Sequence, residues 1–283
     1  MFRRLLQPLS ADLLISHSFM LKLEEVIILE VFILASGSKG NMTYLKVGHI
    51  RLCIDVGISY RRMRLKMESY DESLESIDAL LLTHEHQDHT MGLKMLLKHH
   101  QIKHIYLTQG TYNGLKDDVK ALIQNYTIIQ ADQPFMIENI KVTPFMTSHD
   151  ANEPVAYVIQ QDKKVVILND TGYVDQSYYD LLTDADLYVL EANHHPAMLM
   201  NSPRPFLLKK RILSERGHLS NEDAAWLMNT FVKTKKAKWI ISHISEDCNT
   251  ILAIEEAIVQ AFDDPTKVDI YYASKEGLPK IVV

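Results

Sequence analysis

Apolar residues along this chain form short unbroken runs that alternate with segments of helical spacing. The runs VIILEVFIL at 26–34 and IDALLLT at 77–83 have the length expected of buried strands. The segment MGLKMLLKHHQ at 91–101 instead places apolar residues three and four positions apart, as an amphipathic helix requires. Further strand-like runs alternate with predicted helices, including those over 221–233 and 250–263. The pattern predicts a domain in which β-strands and α-helices are mixed throughout.

The first thirty residues do not continue this pattern. They begin with a basic stretch like that of a secretory signal, but Gln7, Pro8 and Asp12 interrupt the apolar part and no small-residue cleavage site follows. We therefore interpret residues 1–30 as an N-terminal extension outside the core. No linker rich in Pro, Gly or Ser divides the remainder, so residues 31–283 are predicted to form a single domain.

Composition and charge narrow the class of protein. No apolar run approaches the roughly 20 residues that a membrane span needs, which predicts a soluble protein without a membrane partner. The two cysteines, Cys53 and Cys248, are expected to be unpaired thiols of a cytoplasmic protein. A formal net charge of −6 argues against a protein that coats nucleic acid by bulk electrostatics, although it leaves a local basic groove open.

The segment THEHQDH at 83–89 concentrates ligand-type side chains directly after an apolar run. His84 and His86 on a turn leaving a strand can direct their imidazoles at one centre, while Asp88 and His89 can reach a second centre nearby. Imidazole nitrogens combined with a carboxylate suit zinc or a similar first-row ion. A bound ion would also remove the repulsion between these groups, so the segment predicts a metal site.

Three more ligand-type residues follow other predicted strands. These are His149 after KVTPFMTS, Asp170 after KKVVILN and His243 after AKWIIS. Loops that leave strand ends at the same edge of an α/β sheet converge on one site. We therefore expect these side chains to join the cluster at 84–89.

The motif H-x-H-x-D-H at 84–89, together with these later residues, resembles the metallo-β-lactamase superfamily from about Val31 to the C-terminus. The resemblance implies a four-layer αββα sandwich, with two mixed sheets flanked by helices and the site at their edge. It also implies two divalent ions per chain, Zn or Mn. By the family pattern, one ion is held by His84, His86 and His149, the other by Asp88, His89 and His243, with Asp170 bridging the two.

Two such ions would activate a bridging water as hydroxide near neutral pH and stabilise the charge on the attacked group, which predicts a hydrolase. Asp88 is a candidate catalytic residue because it could orient that hydroxide. Oxygen-reducing diiron members of the superfamily carry Glu at the second motif position, where this chain has His86. Redox chemistry is therefore disfavoured.

Other segments resemble a narrower set of relatives, the YycJ/WalJ group, which are small proteins regarded as DNA exonucleases. The similar segments are ILASGSKGN at 33–41, EANHH at 191–195, GHLSNEDAAWLM at 217–228 and SHISEDCN at 242–249. The resemblance implies a nuclease that acts on DNA in the 5′-to-3′ direction. The group usually has Asp after Asn-His, where this chain has His195, so the role of that loop stays open.

Several residues outside the metal motif are candidates for contacting a phosphate. Their nitrogen and hydroxyl groups could donate hydrogen bonds to it, and they are Ser36, Ser38, Lys39, Asn41, His194 and His218. His218, also a candidate catalytic residue, precedes a helix that Ser220 is expected to cap, which leaves amides directed towards an anion. An ordinary hairpin turn at 36–41, or a core hydrogen bond at His194, would explain those residues equally well.

The function predicted from the sequence is a dinuclear metal-dependent phosphodiesterase, in particular a 5′-to-3′ DNA exonuclease. Hydrolysis of a small ester, thioester or lactone is the first alternative, and a metal-retaining regulatory or binding protein is the second. A basic run, Arg204, Lys209, Lys210 and Arg211, suits contacts with a phosphate backbone but also suits a solvated face. An apolar pocket would favour the small substrate, and an open basic groove the nucleic acid.

Overall fold

The computed structural model describes residues 28–100 and 102–283. Most of the predicted N-terminal extension, residues 1–27, lies outside the described residues. The first strand, β1 (Leu29–Ala35), includes the last two residues assigned to that extension, and Leu29 is buried. The core therefore extends slightly further towards the N-terminus than the proposed boundary.

Fourteen strands of the described residues form two seven-stranded mixed sheets. The first sheet, in the spatial order 14-1-2-3-4-5-6, contains β1, β2 (Met42–Val47), β3 (Ile50–Ile54), β4 (Ala79–Leu81), β5 (His104–Thr108), β6 (Tyr126–Ile129) and β14 (Leu278–Val282). The second, in the order 13-12-11-10-9-8-7, contains β7 (Phe135–Ile137), β8 (Ile140–Met146), β9 (Val155–Gln160), β10 (Lys164–Leu168), β11 (Leu187–Glu191), β12 (Ala237–Ser242) and β13 (Val268–Tyr272). In each sheet one half is antiparallel and the other half is parallel.

The helices lie between these strands in sequence. They are α1 (Tyr60–Glu68), α2 (Gln87–Thr90), α3 (Leu93–His99), α4 (Gln109–Gly114), α5 (Asp117–Lys120), α6 (Tyr179–Leu182), α7 (Pro196–Asn201), α8 (Phe206–Ile212), α9 (Asn221–Phe231) and α10 (Ile251–Ala261). Helix α9 begins where the sequence predicted, because the Ser220 hydroxyl accepts a hydrogen bond from the Asp223 amide. Helix α10 has an equivalent cap at Thr250.

Strand β1 shows why the apolar runs lack polar alternation. Val31 and Ile33 pack into the core between the two sheets, whereas Phe32 and Leu34 on the opposite face pack against helices. A strand that is buried on both faces has a continuous run of apolar residues in its sequence. Each such side chain contributes on the order of 1.5–3 kcal/mol to the free energy of unfolding.

The layers follow from these contacts. Met63 of α1 and Leu96 of α3 belong to the core on the outer face of the first sheet. Met228 of α9 and Ile258 of α10 belong to the core on the outer face of the second. The order helix, sheet, sheet, helix confirms the predicted four-layer αββα sandwich.

Two further expectations concern the cysteines and the membrane. Cys53 and Cys248 are both buried and unpaired, as predicted. Within residues 28–100 and 102–283, no helix combines the length and the apolar character that crossing a bilayer would require.

Candidate metal centre

Three histidines from two loops converge beside the end of β4. His84 Nε2 lies 3.1 Å from His86 Nδ1. One ring nitrogen from each of these residues and one from His149, which follows β8, all lie within 4.8 Å of one another. His149 Nδ1 is 3.2 Å from the Gly217 carbonyl oxygen, so Nδ1–H can donate there and leave Nε2 free to bind an ion. The structure thus brings together the predicted three-nitrogen site.

Asp170 lies between this group and the remaining predicted ligands. Its Oδ2 is 2.5 Å from His89 Nε2, and its Oδ1 is 3.2 Å from His243 Nδ1. Asp88 Oδ2 completes the second group, 3.7 Å from His89 Nε2 and 3.9 Å from His243 Nε2. Asp170 also falls within 4.8 Å of a ring nitrogen of His84, so this one carboxylate faces both groups.

The hydrogen bonding of these atoms indicates that the site is suited to divalent ions. Both Asp170 oxygens and His243 Nε2 are buried without a hydrogen-bond partner among the described residues. The nearest nitrogens, His89 Nε2 and His243 Nδ1, make ion-pair contacts with the Asp170 oxygens. An unsatisfied buried carboxylate costs several kcal/mol, on the order of 2–7 for polar groups in general. A cation in the shared space would satisfy these donor atoms together.

Asp55, which the sequence reasoning missed, holds His89 in place. Its Oδ2 lies 2.7 Å from His89 Nδ1, and its two oxygens accept hydrogen bonds from the amide and hydroxyl of Thr83 at 2.8 Å each. His89 therefore donates through Nδ1 and directs Nε2 towards Asp170. Carboxylate–histidine pairs of this kind orient metal ligands in many proteins. The available signal was an acid directly after the strand IRLCI, similar to Asp170, which is the second residue after β10.

Glu191 is a second missed residue, and it is fully buried. Its Oε2 lies 3.0 Å from His218 Nδ1 and 3.4 Å from His243 Nδ1, while Oε1 accepts a hydrogen bond from the Thr171 amide at 2.7 Å. Glu191 thus joins the metal cluster to His218. An acid at the end of the apolar run LYVLE was the signal for it.

Three acid or histidine residues of the centre adopt left-handed backbone conformations, with φ of 58° at Asp55, 53° at Asp170 and 52° at His243. Each follows the end of a strand, and the left-handed turn directs its side chain towards the site. Non-glycine residues adopt this conformation at a cost of order 1–3 kcal/mol, and such costs concentrate at functional sites.

The acids and histidines shift one another's pKa values. Burial lowers the pKa of His84 well below its ordinary value, and the neighbouring His89 lowers it further. Burial also lowers the pKa of His89, but Asp55 and Asp170 more than offset this and raise it well above the usual range. Burial raises the pKa of Asp170, while His243 and His89 bring it well below the usual value. The Asp170 carboxylate is therefore ionised at neutral pH.

The loop at 36–41 lies beside the centre, but only part of it faces the cleft. Ser38 lines the cleft. Ser36 is buried and accepts a hydrogen bond from the His243 amide, and Asn41 is buried with Nδ2 3.1 Å from His89 Nε2. Lys39 is exposed and pairs with Glu246 at 2.8 Å, away from the cleft wall. Ser36 and Asn41 thus contact candidate metal-ligand residues and do not line this cleft, and Lys39 also lies outside it.

His194 also does not occupy the place expected of a substrate-binding residue. It is buried, is not part of the cleft wall, and neither ring nitrogen has a hydrogen-bond partner within the described ranges. Burial lowers the pKa of His194 to about 4. The folded protein therefore holds this histidine neutral.

Replacing His194 by Phe should make the stability less sensitive to acid. Because the pKa of His194 is about 4 in the folded chain and about 6.5 when unfolded, stability present above pH 6.5 is lost as the pH falls towards 4. When the pH is lowered from about 7.5 to about 5, the free energy of unfolding of His194→Phe should rise by about 2 kcal/mol relative to that of the parent chain. Urea unfolding of both chelator-treated proteins measures this difference. Parallel pH profiles would contradict the assignment.

A cleft of about 250 Å³ opens above the ligand groups. Its wall combines metal-ligand residues with His218 and two arginines from the segment around α8, Arg204 and Arg211. Arg204 pairs with Asp247 at 3.1 Å, and Arg211 pairs with Asp150 through Nη2 at 3.0 Å. Lys209 and Lys210 share the helix but do not line the cleft. The cleft thus has guanidinium groups beside the candidate ligands.

Comparisons with known proteins agree with this geometry. Residues 51–244 match the family described as the β-lactamase superfamily domain. The chain is 34% identical over 221 residues to the exodeoxyribonuclease WalJ of Streptococcus pneumoniae, covering 77% of this chain and 82% of that protein. It is 33% identical over 226 residues to the exodeoxyribonuclease YycJ of Bacillus anthracis, and this alignment covers 77% of this chain and 83% of that protein.

Solved structures show the same fold at lower sequence identity. The metallo-β-lactamase fold protein YhfI from Bacillus subtilis superimposes with a TM-score of 0.69 at 17% identity, covering 91% of this chain and all of that one. The short form of human tRNase Z gives a TM-score of 0.63 at 18% identity, and the superposition covers 89% of this chain and 98% of that one. At these identities the likeness concerns the fold.

Proposed function

The chain belongs to the β-lactamase superfamily and is a metal-dependent hydrolase, and from this premise we propose that it is a dinuclear phosphodiesterase that degrades DNA from the 5′ end. The observation that carries the proposal is the cleft in which the ligand groups, His218 and two arginines meet. Arginine guanidinium groups match the geometry of phosphate oxygens. A small ester or lactone would call for a predominantly apolar pocket, whereas histidines, acids and arginines form much of the wall of this cleft.

The relatives support the choice of substrate. Both curated relatives cited above carry the name exodeoxyribonuclease, and the alignments cover most of each protein. The resemblance to the YycJ/WalJ group is also the basis for proposing that DNA is degraded in the 5′-to-3′ direction. The acidic net charge does not oppose a nucleic-acid substrate, because Arg204 and Arg211 place guanidinium groups at the cleft wall.

Two ion positions follow from the ligand groups. One would be held by His84, His86 and His149, and the other by Asp88, His89 and His243, with Asp170 shared. Bound divalent ions, Zn or Mn, would lower the pKa of a water molecule and stabilise negative charge on the attacked phosphate.

The chain's own residues perform the remaining tasks. Asp88 lines the cleft and can accept a hydrogen bond from the attacking water, which orients it towards the phosphorus. Arg204 and Arg211 bind the phosphate, exchanging the exposed carboxylate of Asp247 and the partly buried carboxylate of Asp150 for its oxygens. With Nδ1 engaged by Glu191, the ring nitrogen of His218 left for the substrate is Nε2.

A cleavage assay combined with metal analysis tests this proposal. End-labelled single- and double-stranded DNA and RNA are incubated with protein reconstituted with Zn or Mn, and the metal content of each sample is measured. We expect close to two ions per chain, shortening of DNA from its 5′ end, and loss of cleavage on chelation. Turnover of small esters without nucleic-acid cleavage would favour the alternative hydrolase. Bound metal without turnover would favour the regulatory protein.

A further inference from the structure

A second cavity of about 390 Å³ adjoins the metal cleft. The two share the wall formed by Ser38, Ile244 and Ser245, so a chain leaving one can enter the other. The second cavity is the more apolar of the two, with Ile251, Tyr272 and Ala273 among its lining residues. Its volume lies within the range of pockets that bind small organic groups, roughly 300–1,000 Å³.

Tyr272 gives this cavity an ordered aromatic surface. It lies at the end of β13, is partly buried, and donates a hydrogen bond from its hydroxyl to Glu255 at 3.1 Å. Ile251, the first residue of α10, contributes an apolar side chain that is 50% exposed. An aromatic ring held in place beside aliphatic groups is suited to the face of a nucleobase.

Two lysines and two glutamates lie on the wall of this cavity. Lys39 and Lys275 both pair with Glu246, at 2.8 and 2.9 Å, so that two cations share one carboxylate. The other acid of the wall, Glu276, is itself neutralised by Arg62 and Lys66 from α1. Lysines at the edge of an apolar interior suit a ligand with an apolar body and phosphate groups at its edge.

We propose that this cavity binds the base of one nucleotide next to the scissile phosphate, an inference that rests on the proposed nuclease function. The metal cleft would hold the phosphate, the strand would pass over the wall at Ser38 and Ser245, and the base would enter beside Tyr272 and Ile251. This arrangement would align the strand without reading its sequence, because every base presents an apolar face.

Variants of two neighbouring residues on α10 test the proposal. Ile251→Asp places a charge on the cavity wall, whereas Leu252→Asp places the same charge one residue further on, where the side chain is 64% exposed and does not line the cavity. Aspartate is favourable in the first turn of a helix, so both chains should fold. We expect Ile251→Asp to lower kcat/KM for oligonucleotides about tenfold, mainly through KM, and Leu252→Asp to have little effect.

Two substrates separate base binding from damage to the metal centre. Bis(p-nitrophenyl) phosphate has no nucleobase, so its hydrolysis should be equal in all three proteins. Oligonucleotides that lack the base of either the first or the second nucleotide are also tested. For one of these two substrates, kcat/KM of the parent chain should be about tenfold lower than for the intact oligonucleotide. In the Ile251→Asp variant, removal of that base should lower kcat/KM little further, because the substitution and the missing base abolish the same contact.

The outcomes distinguish this inference from the function on which it rests. Equal oligonucleotide cleavage by Ile251→Asp and Leu252→Asp, or a parent enzyme indifferent to both missing bases, would overturn the base site and leave the nuclease proposal standing. A parallel loss on the small diester would assign the effect to the metal centre and also overturn it. Hydrolysis of the small diester without any cleavage of nucleic acid would refute the nuclease proposal, and the base site with it.

Discussion

Asp88→Asn is expected to lower kcat/KM for DNA by about 10³-fold, equivalent to about 4 kcal/mol of transition-state stabilisation. The Asp88 carboxylate lines the cleft and lies between the ring nitrogens of His89 and His243. An amide of the same shape loses the negative charge that these neighbours face. The fold should survive, because the side chain is 27% exposed and is not part of the core. Steady-state cleavage of labelled DNA, with circular dichroism of both proteins, measures the effect.

Glu85→Gln is the matched control for this change. Glu85 belongs to the same loop, but its Oε1 accepts a hydrogen bond from the Asn152 amide and its side chain does not line the cleft. The amide variant retains that hydrogen bond, so activity should stay within about threefold of the parent chain. If Asp88→Asn kept more than about a tenth of the activity, Asp88 would have neither of the roles proposed for it.

His218→Ala is expected to lower DNA cleavage by roughly 10²- to 10³-fold while both metal ions are retained. His218 lines the cleft, and its Nδ1 lies 3.0 Å from Glu191 and 3.4 Å from Asp170. Protonated on both nitrogens, the ring would donate to Glu191 and present Nε2–H to a phosphate oxygen. Removing one such donor typically costs a few kcal/mol in the transition state.

A double-mutant cycle with Glu191→Gln separates positioning from direct contact. If Glu191 acts by holding His218, it is a positioning residue, and its replacement should have little further effect in the His218→Ala background. The single variant should also change the pH profile of kcat, because the charge beside the histidine is gone. His195→Ala serves as the control, since the His195 ring accepts from the Met198 amide and does not line the cleft. Near-parental cleavage by His218→Ala, or metal loss in that variant, would refute the assignment.

The charges of the centre also bear on stability without metal. Asp170 and Glu191 are buried acids, and the histidines around them hold the pKa of each carboxyl below its usual value. Stability from these ionised groups is present above their unfolded pKa values and is lost as the pH falls through the folded ones. Ion binding would add stability in proportion to its affinity, because the unfolded chain lacks the assembled ligands.

The sequence by itself determined the mixture of strands and helices and the composition of the candidate ligand set, whereas the four-layer arrangement was implied by the resemblance to a known superfamily. Apolar runs without alternation identified strands buried on both faces, and helical spacing identified α3, α9 and α10. The motif at 84–89 is local, so its residues had to lie together whatever the fold. His149, Asp170 and His243 could be added because strand ends at one edge of a sheet converge.

Only the tertiary structure decided which neighbours hold those ligands and which polar residues face the cleft. Asp55 and Glu191 contact histidines that are distant in the sequence, so no local pattern could pair them. Ser36 and Lys39 lie in one turn, yet the first is buried against a backbone amide and the second pairs with a carboxylate outside the cleft. The second cavity likewise joins the loop at 36–39 to residues near the C-terminus. Contacts of this kind depend on how two sheets pack and on left-handed turns at strand ends, and the order of residues alone does not specify either.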